Sequence, residues 1–187
     1  MRRNGLSKFG VMCLFVTCVS LASCRDTGDV NPPKQQPAST IAADSMLFRL
    51  ITQTQPLTGY ILFPNADSVT SGTLNGSTAH QPLVRVSMNA TAFNALQNGR
   101  LPSGTSFPDG SIIFKQIRTT NNLATLYAVI YKENTNPLAA NGWLWAEYSP
   151  DGSVAYSIAN RGAGCVGCHS REQGPQHDFV RTFERQR

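Results

Sequence analysis

Charge is scarce in this 187-residue chain, with Asp, Glu, Lys and Arg together making up 14% of it. Histidine is scarcer still: His80, His169 and His177 are the whole supply. Five cysteines are present, and three of them, Cys13, Cys18 and Cys24, precede residue 25. The remaining pair, Cys165 and Cys168, therefore lacks the second pair of ligands that a structural zinc site needs. No βαβ pattern surrounds that pair, which argues against a thioredoxin-like redox motif. A plain structural disulfide stays open on spacing alone. The one long hydrophobic run, Phe9 to Leu21, is too short to span a bilayer comfortably. There is no internal repeat, and the long amphipathic helices of a four-helix bundle are missing.

What the chain does have is Cys165-Val166-Gly167-Cys168-His169. This is Cys-x-x-Cys-His, the attachment pattern of a c-type haem. Each residue type is needed at its spacing. Two thiols two residues apart can each form a thioether to one vinyl group of a single haem. The histidine that follows is then held beneath the iron as its proximal ligand. The expected cofactor is one covalently attached haem c, held by Cys165 and Cys168, with His169 on the metal.

Attachment of this kind follows export, and the N-terminus reads as an export signal. Arg2, Arg3 and Lys8 precede the apolar run, which ends in Leu21-Ala22-Ser23-Cys24. That ending resembles the lipobox of bacterial lipoproteins, with cleavage before Cys24 and lipid on its thiol. Arg25 follows the cysteine where the inner-membrane retention signal of enteric bacteria has Asp. The expected location is the periplasmic side of a bacterial membrane, lipid-anchored, with the outer membrane favoured. Every cysteine is then accounted for, and none is left for a disulfide framework. Removing Arg2, Arg3 and Lys8 leaves 13 basic against 11 acidic residues, a net charge of +2. That balance gives no reason to expect a nucleic-acid partner.

Three segments follow: a leader at 1–23, a polar tether rich in Pro, Gln, Asp and Thr at 24–43, and one folded domain at 44–187. Within the domain, Asp44 is placed to cap a short helix through about Leu50. Asn89 caps another, predicted to run through Gln97 and end at Asn98-Gly99. Strands are predicted at 60–63, 82–88, 111–118, 123–131, 143–148 and 154–158, parted by Pro108-Asp109-Gly110, Asn141-Gly142 and Asp151-Gly152. The fold class is α+β, mainly antiparallel sheet with a few short helices. The haem motif lies near the C-terminus.

Four blocks in this order carry a family resemblance. They are Phe107-Pro108-Asp109-Gly110-Ser111-Ile112-Ile113-Phe114-Lys115, then Gly142-Trp143, then the haem motif, then Asp178-Phe179-Val180. Over roughly residues 85 to 180 the chain resembles cytochrome P-460 and its relative cytochrome c′-beta. The resemblance implies an antiparallel sheet, one c-type haem and a homodimer. In cytochrome P-460 a lysine is joined covalently to the haem edge, and the enzyme oxidises hydroxylamine. In c′-beta that link is absent, the distal pocket is apolar, and nitric oxide binds. Lys115 matches the cross-linking lysine. Arg85 lies close to the position of a distal arginine, although an ungapped match puts Val84 there.

The residues bear on this independently. In a strand, Lys115 shares a face with Ile113 and Ile117, and an amine on an apolar face is costly unless paired, neutral or chemically used. The alternative is that Ile112, Phe114 and Gln116 form the buried face. The segment matching the distal glutamate, Leu126 to Ile130, holds no acid, and Glu133 and Glu147 fit the spacing poorly. This leans toward an open, largely apolar distal face. Met88 and Met46 offer a sixth ligand, though methionine more often fills a core. His80 reads as solvent-exposed, and His177 as a surface residue near the haem motif. Trp143, Trp145 and Tyr148 read as core, and Arg161 and Arg171 read equally as partners for haem propionates or as ordinary surface charges. The functional expectation is a membrane-tethered haem protein that binds or redox-processes a small nitrogen compound such as nitric oxide. Hydroxylamine oxidation through a lysine-modified haem, and simple electron transfer to a soluble redox partner, are the alternatives.

Overall fold

The computed structural model describes residues 40–172 and 177–187. The leader, the lipidation candidate Cys24 and the tether up to residue 39 lie outside the described residues. Ile41 is buried, and its backbone is tied to the Glu133 carboxylate and the Asn136 amide, so chain N-terminal to Asp44 packs on the domain. Among the described residues no helix is long and apolar enough to cross a membrane.

The centre of the domain is a seven-stranded antiparallel sheet. Its strands are β1 (Ile61–Leu62), β2 (Thr70–Ser71), β3 (Leu83–Met88), β4 (Ile112–Arg118), β5 (Ala124–Lys132), β6 (Trp143–Tyr148) and β7 (Val154–Tyr156). The order runs β1-β3-β4-β5-β6-β7, and β2 pairs with the other end of β3. Among the described residues three short α-helices accompany it: α1 (Asp44–Arg49), α2 (Ala90–Asn94) and α3 (Cys165–His169). This is the α+β architecture expected from the alternating runs and turn residues.

Both faces of the sheet are covered. That is why β4 to β6 read as nearly continuous apolar runs rather than strict alternation. One face carries Phe114, Tyr127, Val129, Leu144 and Tyr148, packed under Leu47 of α1 and Ile51 of the turn that follows it. The other carries Val84, Val86, Met88, Ile113, Ile117, Ile130, Trp143 and Trp145, closed by Phe107 and Phe183. Ile112 and Lys115 therefore point to opposite faces, and both faces of β4 are covered at these positions.

Local sequence explains the elements and their small departures from expectation. Ala43, not Asp44, is the N-cap of α1. The Asp44 carboxylate instead accepts bonds from the Ile158 backbone and the Ser157 and Tyr148 hydroxyls, tying α1 to the chain beyond β7. Asn89 does cap α2, but the helix stops at Asn94. Asn98 and Gly99 are both left-handed and make a separate tight turn joining Gln97 to Arg100. The Asn89 side chain also accepts the N–H of Ile112 at 3.0 Å and donates to the Gly110 carbonyl at 2.8 Å. Asn89→Ala is expected to cost about 2–3 kcal/mol, a helix cap plus one buried unpaired N–H. Denaturant unfolding with an unchanged slope would report this, and a loss below about 0.5 kcal/mol would refute it.

Candidate functional site

The register of the sheet builds the site. Lys115 on β4, Ala128 on β5 and Glu147 on β6 lie in one cross-strand row on the face opposite α1. Ile113, Ile130 and Trp145 form the next row. A cavity of about 170 Å³ opens over these rows, and Cys165, Cys168 and His169 form part of its wall.

The cysteine pair and the histidine are presented by α3. Cys165 and Cys168 are three apart on the helix and so share a face. Both are free thiols, partly buried. Gly162 makes the entry possible, because its backbone is left-handed and a Cβ there would press on Val166 and the Trp145 ring. His169 sits edge-on to the Trp145 ring, with centroids 4.9 Å apart. Its Nδ1 is 2.7 Å from the Phe179 carbonyl, which fixes the tautomer with the proton on Nδ1 and leaves Nε2 as the lone-pair nitrogen. Burial, with Lys115 nearby, pushes this imidazole down to about 3, so it is neutral and able to ligate a metal.

Facing it is a group that the sequence did not announce as a unit. The Lys115 amine is 3.1 Å from His80 Nδ1. His80 Nε2 is 3.4 Å from the Glu147 carboxylate. His80 arrives on the loop between β2 and β3, which folds back on itself at Gly72, where a Cβ would overlap the His80 carbonyl. Burial, reinforced by Arg185, lowers Lys115 to about 8. Burial also lowers His80, against the raising effect of Glu147. His80 is thus partly buried within the cavity wall, not solvent-exposed.

Other expectations are corrected by the register. Arg85 pairs with Gln116 and points away from the cavity into solvent; Val84 and Val86 hold the inward positions on β3. Arg161 and Arg171 are exposed and do not line the cavity, whereas Arg181 and Arg185 do. Arg181 lies with its guanidinium 3.3 Å from Cys168 Sγ, and Arg185 donates to the Ser71 and Thr73 carbonyls. Met88 is fully buried in the core and Met46 packs on the α1 face, so neither lines the cavity. His177 is buried beside the Phe183 ring, away from the cavity. Glu133 binds Ile41 and Asn136 instead. Trp143 and Tyr148 are core as expected, and Trp145 touches His169.

A family model described as Cytochrome P460 matches residues 66–182. The chain belongs to the cytochrome P460 family. It is a haem-containing cytochrome. The search of curated proteins returned no match. The match begins just before β2 and ends within the Arg181–Arg185 turn, so it takes in β2 to β7 and every cavity group named above except Arg185.

The residues present fit a haem. Two thiols lie on one helical face beside an imidazole with a free Nε2. Ile113, Ala128, Ile130 and Val180 make an apolar wall for a macrocycle, and Arg185 on the same wall suits an anionic side group, whereas Arg181 is already paired with Glu184.

Proposed function

We propose that this cytochrome is a redox enzyme acting on a small nitrogen compound of the hydroxylamine class, with Lys115 joined to the edge of its haem. One observation carries the reading. The Lys115 amine, backed by His80 and Glu147, opens into the same cavity as Cys165, Cys168 and His169. In this reading Cys165 and Cys168 hold one haem through thioethers, and His169 Nε2 ligates its iron. The haem, when bound, supplies the electron sink, taking the substrate's electrons one at a time and passing each to an external acceptor such as a soluble redox partner.

The chain supplies the rest. Each electron withdrawn from hydroxylamine releases a proton, and a positioned base lowers the barrier to that release. His80, neutral through burial, turns Nε2 to Glu147 and Nδ1 to the Lys115 nitrogen, so a proton leaving the substrate would reach Nδ1 by way of that nitrogen. The apolar wall around them excludes water and admits a small neutral substrate; hydroxylamine is uncharged at neutral pH. The same wall suits nitric oxide, and this favours gas binding as the second reading if Lys115 is unlinked.

The deciding experiment is the optical spectrum of the ferrous protein made in cells with haem-attachment machinery. A broadened, red-shifted Soret band together with turnover of hydroxylamine is the expected result. An ordinary c-type spectrum with no turnover would sink the enzyme reading and leave gas binding, which carbon monoxide would probe by shifting the ferrous spectrum.

A further inference from the structure

Lys132, at the end of β5, is 2% exposed. Its amine lies 3.0 and 2.9 Å from the two carboxylate oxygens of Asp178 and 4.8 Å above the Trp143 ring. Asp178 also accepts the backbone N–H of Phe107 at 2.9 Å. Asp178 and Phe179 are both left-handed, with φ of 50° and 67°. Aspartate tolerates that region, but phenylalanine does not favour it, and two such residues in succession persist only where the surroundings over-determine them. The consequence of this backbone is the 2.7 Å contact between the Phe179 carbonyl and His169 Nδ1. An apolar pair at 132 and 178 would serve packing at least as well as a buried ion pair. What the carboxylate adds is a set of directed bonds that hold one backbone conformation.

We propose that the buried Lys132–Asp178 pair is a clamp that sets the strength of the axial ligand, by holding the Asp178–Phe179 turn so that its carbonyl takes the Nδ1 proton of His169. A histidine that donates this proton is more electron-rich at Nε2 and favours the ferric state. Loosening the turn lengthens the bond, weakens the donor and raises the reduction potential. Lys132 and Asp178 are positioning residues here, and nothing in this role depends on the identity of the substrate. It does rest on His169 being the iron ligand.

The test uses the haem-loaded protein, with the reduction potential and the iron–histidine stretch in the ferrous resonance Raman spectrum as readouts. Two double variants avoid leaving a buried charge alone. Lys132→Met with Asp178→Leu removes every contact of the clamp. Lys132→Met with Asp178→Asn keeps an acceptor for Phe107 and a residue that tolerates the left-handed region. The leucine pair is expected to shift the ferrous-to-ferric ratio about tenfold, an upward move of ~59 mV for a one-electron couple, with the Raman band lowered. The asparagine pair should shift both in the same direction by less. Lys132→Arg, which preserves the pair, should hold the wild-type values. The clamp is overturned if either double variant, folded and carrying haem on both cysteines, keeps the wild-type potential and Raman band. Should the leucine pair fail to fold, the asparagine pair decides. A wild-type ferrous protein with no iron–histidine band would instead overturn the assignment of His169 itself.

Discussion

Replacing Lys115 by Arg is expected to return the ferrous spectrum to that of an ordinary c-type cytochrome and to abolish hydroxylamine oxidation, while the protein still folds and loads haem. Arginine keeps the reach and the charge of lysine, so the cavity wall and the contact to His80 are conserved as far as a substitution allows. What it removes is the nucleophile. A guanidinium is protonated at every accessible pH, whereas the Lys115 amine is pushed by burial to about 8 and so becomes half neutral near that pH. The sign follows: formation of the linked species in wild type should speed up as pH rises through about 8 and level off above it. The neutral amine is the reacting form and the ammonium is inert. Exchanging an amine N–H and a haem-edge C–H for the C–N bond releases two protons and two electrons, so the reaction is run with added peroxide as the two-electron oxidant. Timed spectra of newly haem-loaded protein, together with a haem-bearing Lys115 peptide in a digest, would show both effects. Retention of the red-shifted band in Lys115→Arg would end the cross-link reading. A wild type that oxidises hydroxylamine while its spectrum is unshifted would end it from the other side.

Much of this was legible in the sequence, and the rest was not for identifiable reasons. Strands β3 to β6 announced themselves through β-branched and aromatic runs bounded by Asn-Gly and Asp-Gly turns, and β6 kept its predicted bounds, Trp143–Tyr148. The haem motif needed only local spacing. Lys115 is singled out by the family resemblance, and its apolar strand neighbours Ile113 and Ile117 support it only in part, because the opposite face of the strand is equally apolar. Arg85 was misplaced because register decides the matter: the side-chain period in a strand is two, so one residue separates the cavity from solvent. The segment matching the family's acid, Leu126 to Ile130 on β5, has none, and sequence spacing makes Glu147 a poor fit; the register nevertheless places Glu147 on β6 beside Ala128, one strand further in the same row. A hairpin alignment of 124–132 with 143–148 puts Glu147 beside Ala128 and separates it from Glu133, which linear spacing does not. His80 had no such signal. It reaches Lys115 across 35 residues of chain, through a loop whose path depends on Gly72. Arg181 and Arg185 lie on a short turn after the last strand, a region without periodicity to read.

Glu147→Gln is expected to lower kcat for hydroxylamine oxidation by roughly 10²-fold or more, within the 10²–10⁴-fold typical of a lost acid–base group. The Lys115 link and the ferrous spectrum should survive, because glutamine has the same shape and Lys115 contacts His80 rather than Glu147. The argument runs through His80. Burial holds its imidazole below the ordinary value of 6.5, and Glu147 opposes that by stabilising the charged ring. In wild type, activity should therefore fall as pH is lowered into the acid range, where His80 takes up a proton and can no longer accept one from substrate. Removing the Glu147 charge removes the group that raises His80, so the acid limb of the Glu147→Gln profile should move to still lower pH even as the plateau drops. A purely structural role for Glu147 would change stability and leave that limb in place. His80→Gln should cost about as much as Glu147→Gln, and the double variant little more than either, because two members of one relay fail together. Additive losses, or a Glu147→Gln enzyme with wild-type kcat and an unmoved acid limb, would remove Glu147 from the chemistry and leave His80 as a spacer for Lys115.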